Sequence, residues 1–111
     1  MPRKIVAVLN DLMFTVKISD AAKRAGVAVE FAKSPEEAVR KTEGAAAVIL
    51  DLNFVPLDLI ARLKPVPLIG YVSHVQSDVI KQARENGCDT VMARSAFVQG
   101  LAKLMENFAG Q

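Results

Sequence analysis

The chain has 111 residues, 51% of them hydrophobic and 23% charged, with a net charge of +2. That length holds one domain and is too short for two, and an apolar half with no low-complexity stretch points to a folded globule. Lys and Arg alternate with Asp and Glu and form no basic block, which argues against a nucleic-acid partner, and a lone cysteine, Cys88, cannot form an internal disulfide.

The first apolar run, Ile5 to Leu9, follows Met1-Pro2-Arg3-Lys4 and is too short for the core of a signal peptide. No run approaches the ~18 apolar residues of a membrane span. A cytoplasmic protein is expected. Lys4 to Leu9 reads as a strand ending in Asn10-Asp11. Phe14, Ile18, Ala21, Ala22 and Ala25 then recur at helical spacing, with Gly26 as the stop. Residues 27–32 read as a second strand. Ser34-Pro35-Glu36-Glu37 opens a helix, with Ser34 as its cap, Pro35 at the first helical position and Glu37 closing a capping box.

Gly44 ends that helix, and the apolar strand 45–50 runs into Asp51. A short helix over 57–64 is stopped by Pro65, with Asp58 as a carboxylate in its first turn and Arg62 and Lys64 on a solvated face. Residues 66–72 form a fourth strand with Pro67 near its beginning, where a missing donor is tolerable, and Ser73 follows. Ser77 caps a helix through Asn86, stopped at Gly87. Residues 90–93 form the fifth strand, ending at Arg94. Phe97, Leu101, Leu104, Met105 and Phe108 mark a last amphipathic helix.

Five strands alternating with five helices predict an α/β fold: a flavodoxin-like, doubly wound, five-stranded parallel sheet of order 2-1-3-4-5, one domain over 1–111. Open sheets of this kind place their sites at the C-terminal ends of the strands. There the pattern gathers Asn10, Asp11, Asp51, Ser73 and Arg94: two acids, an amide, a hydroxyl and a cation. Of the remaining candidates, Cys88 is read as a small packed thiol. His74, the single histidine, has no second ligand near it and is read as a polar loop residue or a lid over Asp51.

In this order, these residues resemble the receiver domain of two-component response regulators (CheY-like) over about residues 4–108. Asn10-Asp11 stands at that family's acidic pair, Asp51 in Val48-Ile49-Leu50-Asp51-Leu52-Asn53 at its phosphoacceptor, Ser73 at its switch hydroxyl and Arg94 at its lysine. The segment Ala83-Arg84-Glu85-Asn86-Gly87-Cys88-Asp89 is similar to the one that precedes the family's fifth strand. The resemblance implies phosphorylation at Asp51. It also implies Mg²⁺ held by Asn10, Asp11, Asp51 and the backbone carbonyl of Asn53, with Ser73 and Arg94 on the phosphoryl oxygens. A protein partner, either a histidine kinase or a downstream effector, would read the switch, and no catalysis of its own is expected beyond self-phosphorylation.

Departures from the family pattern are specific. Asn10 removes a negative charge and weakens Mg²⁺ binding. Arg94 replaces a compact ammonium by a planar fork that pairs differently, here expected on Asp51 with a lowered carboxylate pKa. Ser95 replaces the usual proline, so a cis peptide after Arg94 is not expected. His74 replaces a small residue, and Val91 replaces an aromatic. Only 22 positions separate Asp51 from Ser73, which shortens the third helix. These changes favour a receiver-like (pseudo-receiver) module with altered phosphorylation chemistry, acting through protein–protein contact. Two alternatives are a conventional single-domain response regulator and a small-molecule module on the same fold, although the segment after the first strand has no glycine for a phosphate loop. Monomer or weak homodimer is expected, the latter through Val98 and Leu101, which one buried stripe does not accommodate together with Phe97 and Met105.

Overall fold

A computed structural model of the chain describes residues 4–73 and 77–109. Its elements in chain order are β1 (Ile5–Val8), α1 (Leu12–Ala25), β2 (Val29–Ala32), α2 (Pro35–Thr42), β3 (Ala47–Asp51), α3 (Leu57–Leu63), β4 (Leu68–Val72), α4 (Ser77–Glu85), β5 (Thr90–Ala93) and α5 (Arg94–Ala109). All four strand pairings are parallel and the order is β2-β1-β3-β4-β5, the expected doubly wound sheet.

Period-two alternation sends each strand's side chains to two cores. Ile5, Ala7, Ile49, Ile69 and Tyr71 face Phe14, Ile18 and Ala22 of α1 and Phe97, Leu101 and Met105 of α5. Val6, Val8, Val48, Leu50, Leu68 and Val72 face Ala38 of α2, Leu59, Ile60 and Leu63 of α3, and Ala83 of α4. Cys88 is buried in this second core, as its packed-thiol reading requires. No helix among the described residues is long and apolar enough to cross a membrane.

Three strands start later than the hydrophobic runs suggest, because helix ends claim their first residues. Val27 donates its backbone N–H to Ala22 O (2.8 Å) as α1 closes around Gly26 at φ 75°, so β2 begins at Val29. Ala45 donates to Thr42 O (2.9 Å), and β3 begins at Ala47. Val66 bonds back to Leu63 O, and β4 begins after Pro67. Ser34 caps α2 as expected, accepting from Glu37 N at 3.2 Å, while the Glu37 carboxylate lies 3.2 Å from Lys41 Nζ.

Other expectations are corrected. Ser77 is the first residue of α4 and not its cap. Arg94 opens α5 with no residue between it and β5, instead of ending the strand. Lys64 is exposed, as expected, and its ammonium also reaches across the sheet's N-terminal edge, 3.0 Å from Gly87 O and 3.2 Å from both Asp89 oxygens. Asp89 in turn accepts from Leu68 N (2.8 Å), so this group ties the entrances of β4 and β5 together. Leu101 is buried and belongs to the core, whereas Val98 is 36% exposed. The third helix is short, at seven residues. The reading of His74 lies outside the described residues.

Candidate functional site

Asp51 is the last residue of β3, and its carboxylate lies at the C-terminal edge of the sheet beside the other polar strand ends. Its Oδ1 accepts the backbone N–H of Asn53 (3.0 Å) in a tight local turn. The same turn places Asn53 Oδ1 on the backbone N–H of Ser73 (2.6 Å), so Asn53 ties the ends of β3 and β4 together. Leu52 donates its N–H to Tyr71 O (2.9 Å) and packs across Gly70, where a Cβ would come within 2.6 Å of Leu52 Cδ1. Gly70 therefore leaves the space that the Leu52 side chain fills.

Asp11 reaches the site from the other side. It caps α1, with Oδ1 accepting from Phe14 N (3.1 Å), and it keeps Oδ2 for Arg94, whose Nη2 lies 3.2 Å away. Arg94 also lies over the Phe14 ring, its guanidinium carbon 4.5 Å from the centroid. A planar cation suits both partners, one carboxylate and one aromatic face. The expected Arg94–Asp51 ion pair is therefore replaced by Arg94–Asp11. The expected depression of the Asp51 pKa is overturned as well. Burial pushes the Asp51 carboxyl above its ordinary range, outweighing the Asn53 N–H and the charge of Arg94.

Asn10 is exposed between β1 and α1 and makes no hydrogen bond to a described residue. Ser73 is exposed, and an open hollow of about 590 Å³ lies beside it, lined by Val72, Ala93, Arg94, Ser95 and Val98 among others. Among the described residues the one cis peptide is Lys64–Pro65, so the bond after Arg94 is trans. The structure thus gathers Asp11, Asp51, Asn53, Ser73 and Arg94 at one strand edge and leaves Asn10 at its rim.

Both Asp11 oxygens and one Asp51 oxygen already accept from protein donors. No cluster of three or more His, Cys, Asp or Glu side chains that could share an ion occurs among the described residues. In this arrangement the donor set does not fit a divalent cation unless Arg94 releases Asp11.

Two residues of the site escape a reading of motifs. Phe14 and Tyr71 lie beneath it, with Phe97 completing a three-ring cluster: Phe14–Tyr71 centroids at 4.8 Å, Tyr71–Phe97 at 5.0 Å. Phe14 and Phe97 carried only a core signal. Tyr71 had one more, as the chain's single tyrosine two residues before Ser73.

Among solved structures, the chain matches a two-component response regulator from Clostridium difficile with a TM-score of 0.81 at 15% identity, covering 98% of this chain and 97% of that one. The fold is the receiver fold. A response regulator from Burkholderia pseudomallei, solved with a phosphorylated aspartic acid, calcium ion and citrate, matches at 0.79 with 20% identity over 97% of this chain and 69% of its own. A chemotaxis response regulator of Vibrio cholerae matches at 0.77 with 18% identity, 97% and 99% covered. No family model matches the sequence, and no curated protein does. At such identities the receiver likeness is one of fold, and the chemistry of the site rests on its own residues.

Proposed function

We propose that the chain is a receiver-like signalling module of the two-component type, with an altered phosphorylation site, acting through protein–protein contact. The observation that carries this reading is the commitment of Arg94 to Asp11. A receiver that takes a phosphoryl group needs its second acid for a divalent cation and its cation for the phosphoryl oxygens. Here each neutralises the other at 3.2 Å. With Asn10 in place of a further acid, Mg²⁺ binds weakly.

The partner is a protein, a histidine kinase or a downstream effector. An apolar patch supports this: Leu12, Met13 and Val16 are 80%, 74% and 60% exposed on the first turns of α1, directly after Asp11. A second reading, a conventional response regulator phosphorylated on Asp51, has its own support. Asp51 makes no ion pair with a described residue, and Ser73 stands exposed beside an open hollow.

Intact-mass measurement after incubation with Mg²⁺ and a small phosphodonor separates the two. Little or no adduct is expected on the wild-type chain, with an increase in the Asn10→Asp, Arg94→Lys double variant. A rapid Mg²⁺-dependent adduct on the wild type, lost in Asp51→Asn, would establish the second reading instead.

A further inference from the structure

Tyr71 is 1% exposed, and its hydroxyl oxygen is buried with no hydrogen-bond partner among the described residues. Such groups are rare in folded proteins and call for an explanation. A phenylalanine would fill the same place in the three-ring cluster without the orphaned oxygen. The position of the phenol suggests what the oxygen does. Tyr71 pairs with Asp51 in the β3–β4 register, so the two side chains leave neighbouring strands on the same face. The charges of Asp51, Arg94 and Asp11 all reach the hydroxyl; burial, with Asp51 next, holds its proton well beyond the ordinary phenol range. The other side of the ring stacks on Phe97, at 5.0 Å and 21°, in the first turn of α5. Phe14, in the first turn of α1, closes the cluster at 4.8 Å from Tyr71 and 5.7 Å from Phe97.

We propose that Tyr71 is a positioning residue that couples the charge on Asp51 to α5: its hydroxyl dipole follows that charge, and its ring passes the change to Phe97. The proposal deepens the signalling reading above and rests on it for its biological meaning. The physical coupling needs only the carboxylate, the phenol and the stack. A close-packed aromatic cluster transmits small displacements because it has few ways to absorb them.

The chain has one tyrosine and no tryptophan, so a ¹³C label at the tyrosine Cζ reports this residue alone. Asp51→Asn removes the charge and keeps the shape. In the full chain, this substitution is expected to shift the Tyr71 Cζ resonance and to move backbone amides in the first two turns of α5. In a Tyr71→Phe background the same substitution should move those α5 amides several-fold less. An unmoved Cζ resonance would overturn the proposal, as would equal α5 shifts with and without the hydroxyl; either result would assign the hydroxyl a static packing role. If Tyr71→Phe did not fold, the Cζ comparison alone would still decide. Neither measurement uses a phosphodonor or a partner, so failure of the signalling reading leaves this test standing, and the reverse also holds.

Discussion

Arg94 carries its positive charge into the first turn of α5, at the positive end of the helix dipole, and that turn has no acidic residue of its own. Asp11 supplies the missing carboxylate from another element, and Phe14 supplies an electron-rich face. Asp51 is left half-buried and, among the described residues, without a paired cation. Because its folded pKa lies above the unfolded value, the fold carries the strain of a charged Asp51 at neutral pH. That strain lifts as pH falls through the folded pKa towards the ordinary carboxylate range. Asp51→Asn keeps an oxygen for Asn53 N–H and should raise the melting temperature at pH 7. The gain over wild type should shrink as the buffer is acidified, and thermal melts across pH check this. Asp89 has the opposite sign. The Leu68 N–H and then Lys64 hold its carboxyl below the ordinary range, so its contribution is present at neutral pH and is lost as pH falls through that lowered value. Asp89→Ala leaves Leu68 N without its acceptor and should lower stability by about 1–2 kcal/mol in denaturant titrations.

At the scale of elements, the outline was readable because punctuation and periodicity agreed: Gly26, Gly44 and Gly87 each end a helix at positive φ. The beginnings of β2, β3 and β4 were misread because backbone bonds that close a helix leave no trace in hydropathy. Asp11, Asp51, Ser73 and Arg94 could be placed at one edge from strand ends alone. Which acid Arg94 would choose could not, since that depends on a helix start without an intervening loop and on Phe14, whose spacing marks it only as core. Gly70 lies in an apolar run and gave no hint that Leu52 crosses over it. Gly70→Ala forces Leu52 aside, and an overpacked site of this kind typically loses about 1–3 kcal/mol. The Asn53 turn follows Leu52 directly, so the amide resonances of Asp51, Asn53 and Ser73 should shift together in this variant. An unchanged spectrum there would mean that Leu52 yields without moving the site.

At the scale of the molecule, one sheet separates two cores, and among the described residues neither helical layer has a partner other than the sheet for its buried stripe. The two layers should therefore melt together. Ile60→Ala in the α3 layer and Phe97→Ala in the α5 layer should each cost about 2–5 kcal/mol. Tyrosine fluorescence, which reports the α1–α5 side through Tyr71, should coincide with far-ultraviolet circular dichroism in both variants. Separate midpoints would mean that one layer unfolds alone.

The seamless passage from β5 into α5 has a mechanical meaning. A connecting loop would provide slack, and there is none between Ala93 and Arg94. The guanidinium thus sits at the fulcrum of a rod of 16 residues, about 24 Å long at 1.5 Å per residue. Were Arg94 to exchange Asp11 for another anion and tilt the rod by about ten degrees, its far end would swing about 4 Å, one side chain's width. A partner gripping the tip of α5 would receive an ångström-scale event at the site with its amplitude multiplied.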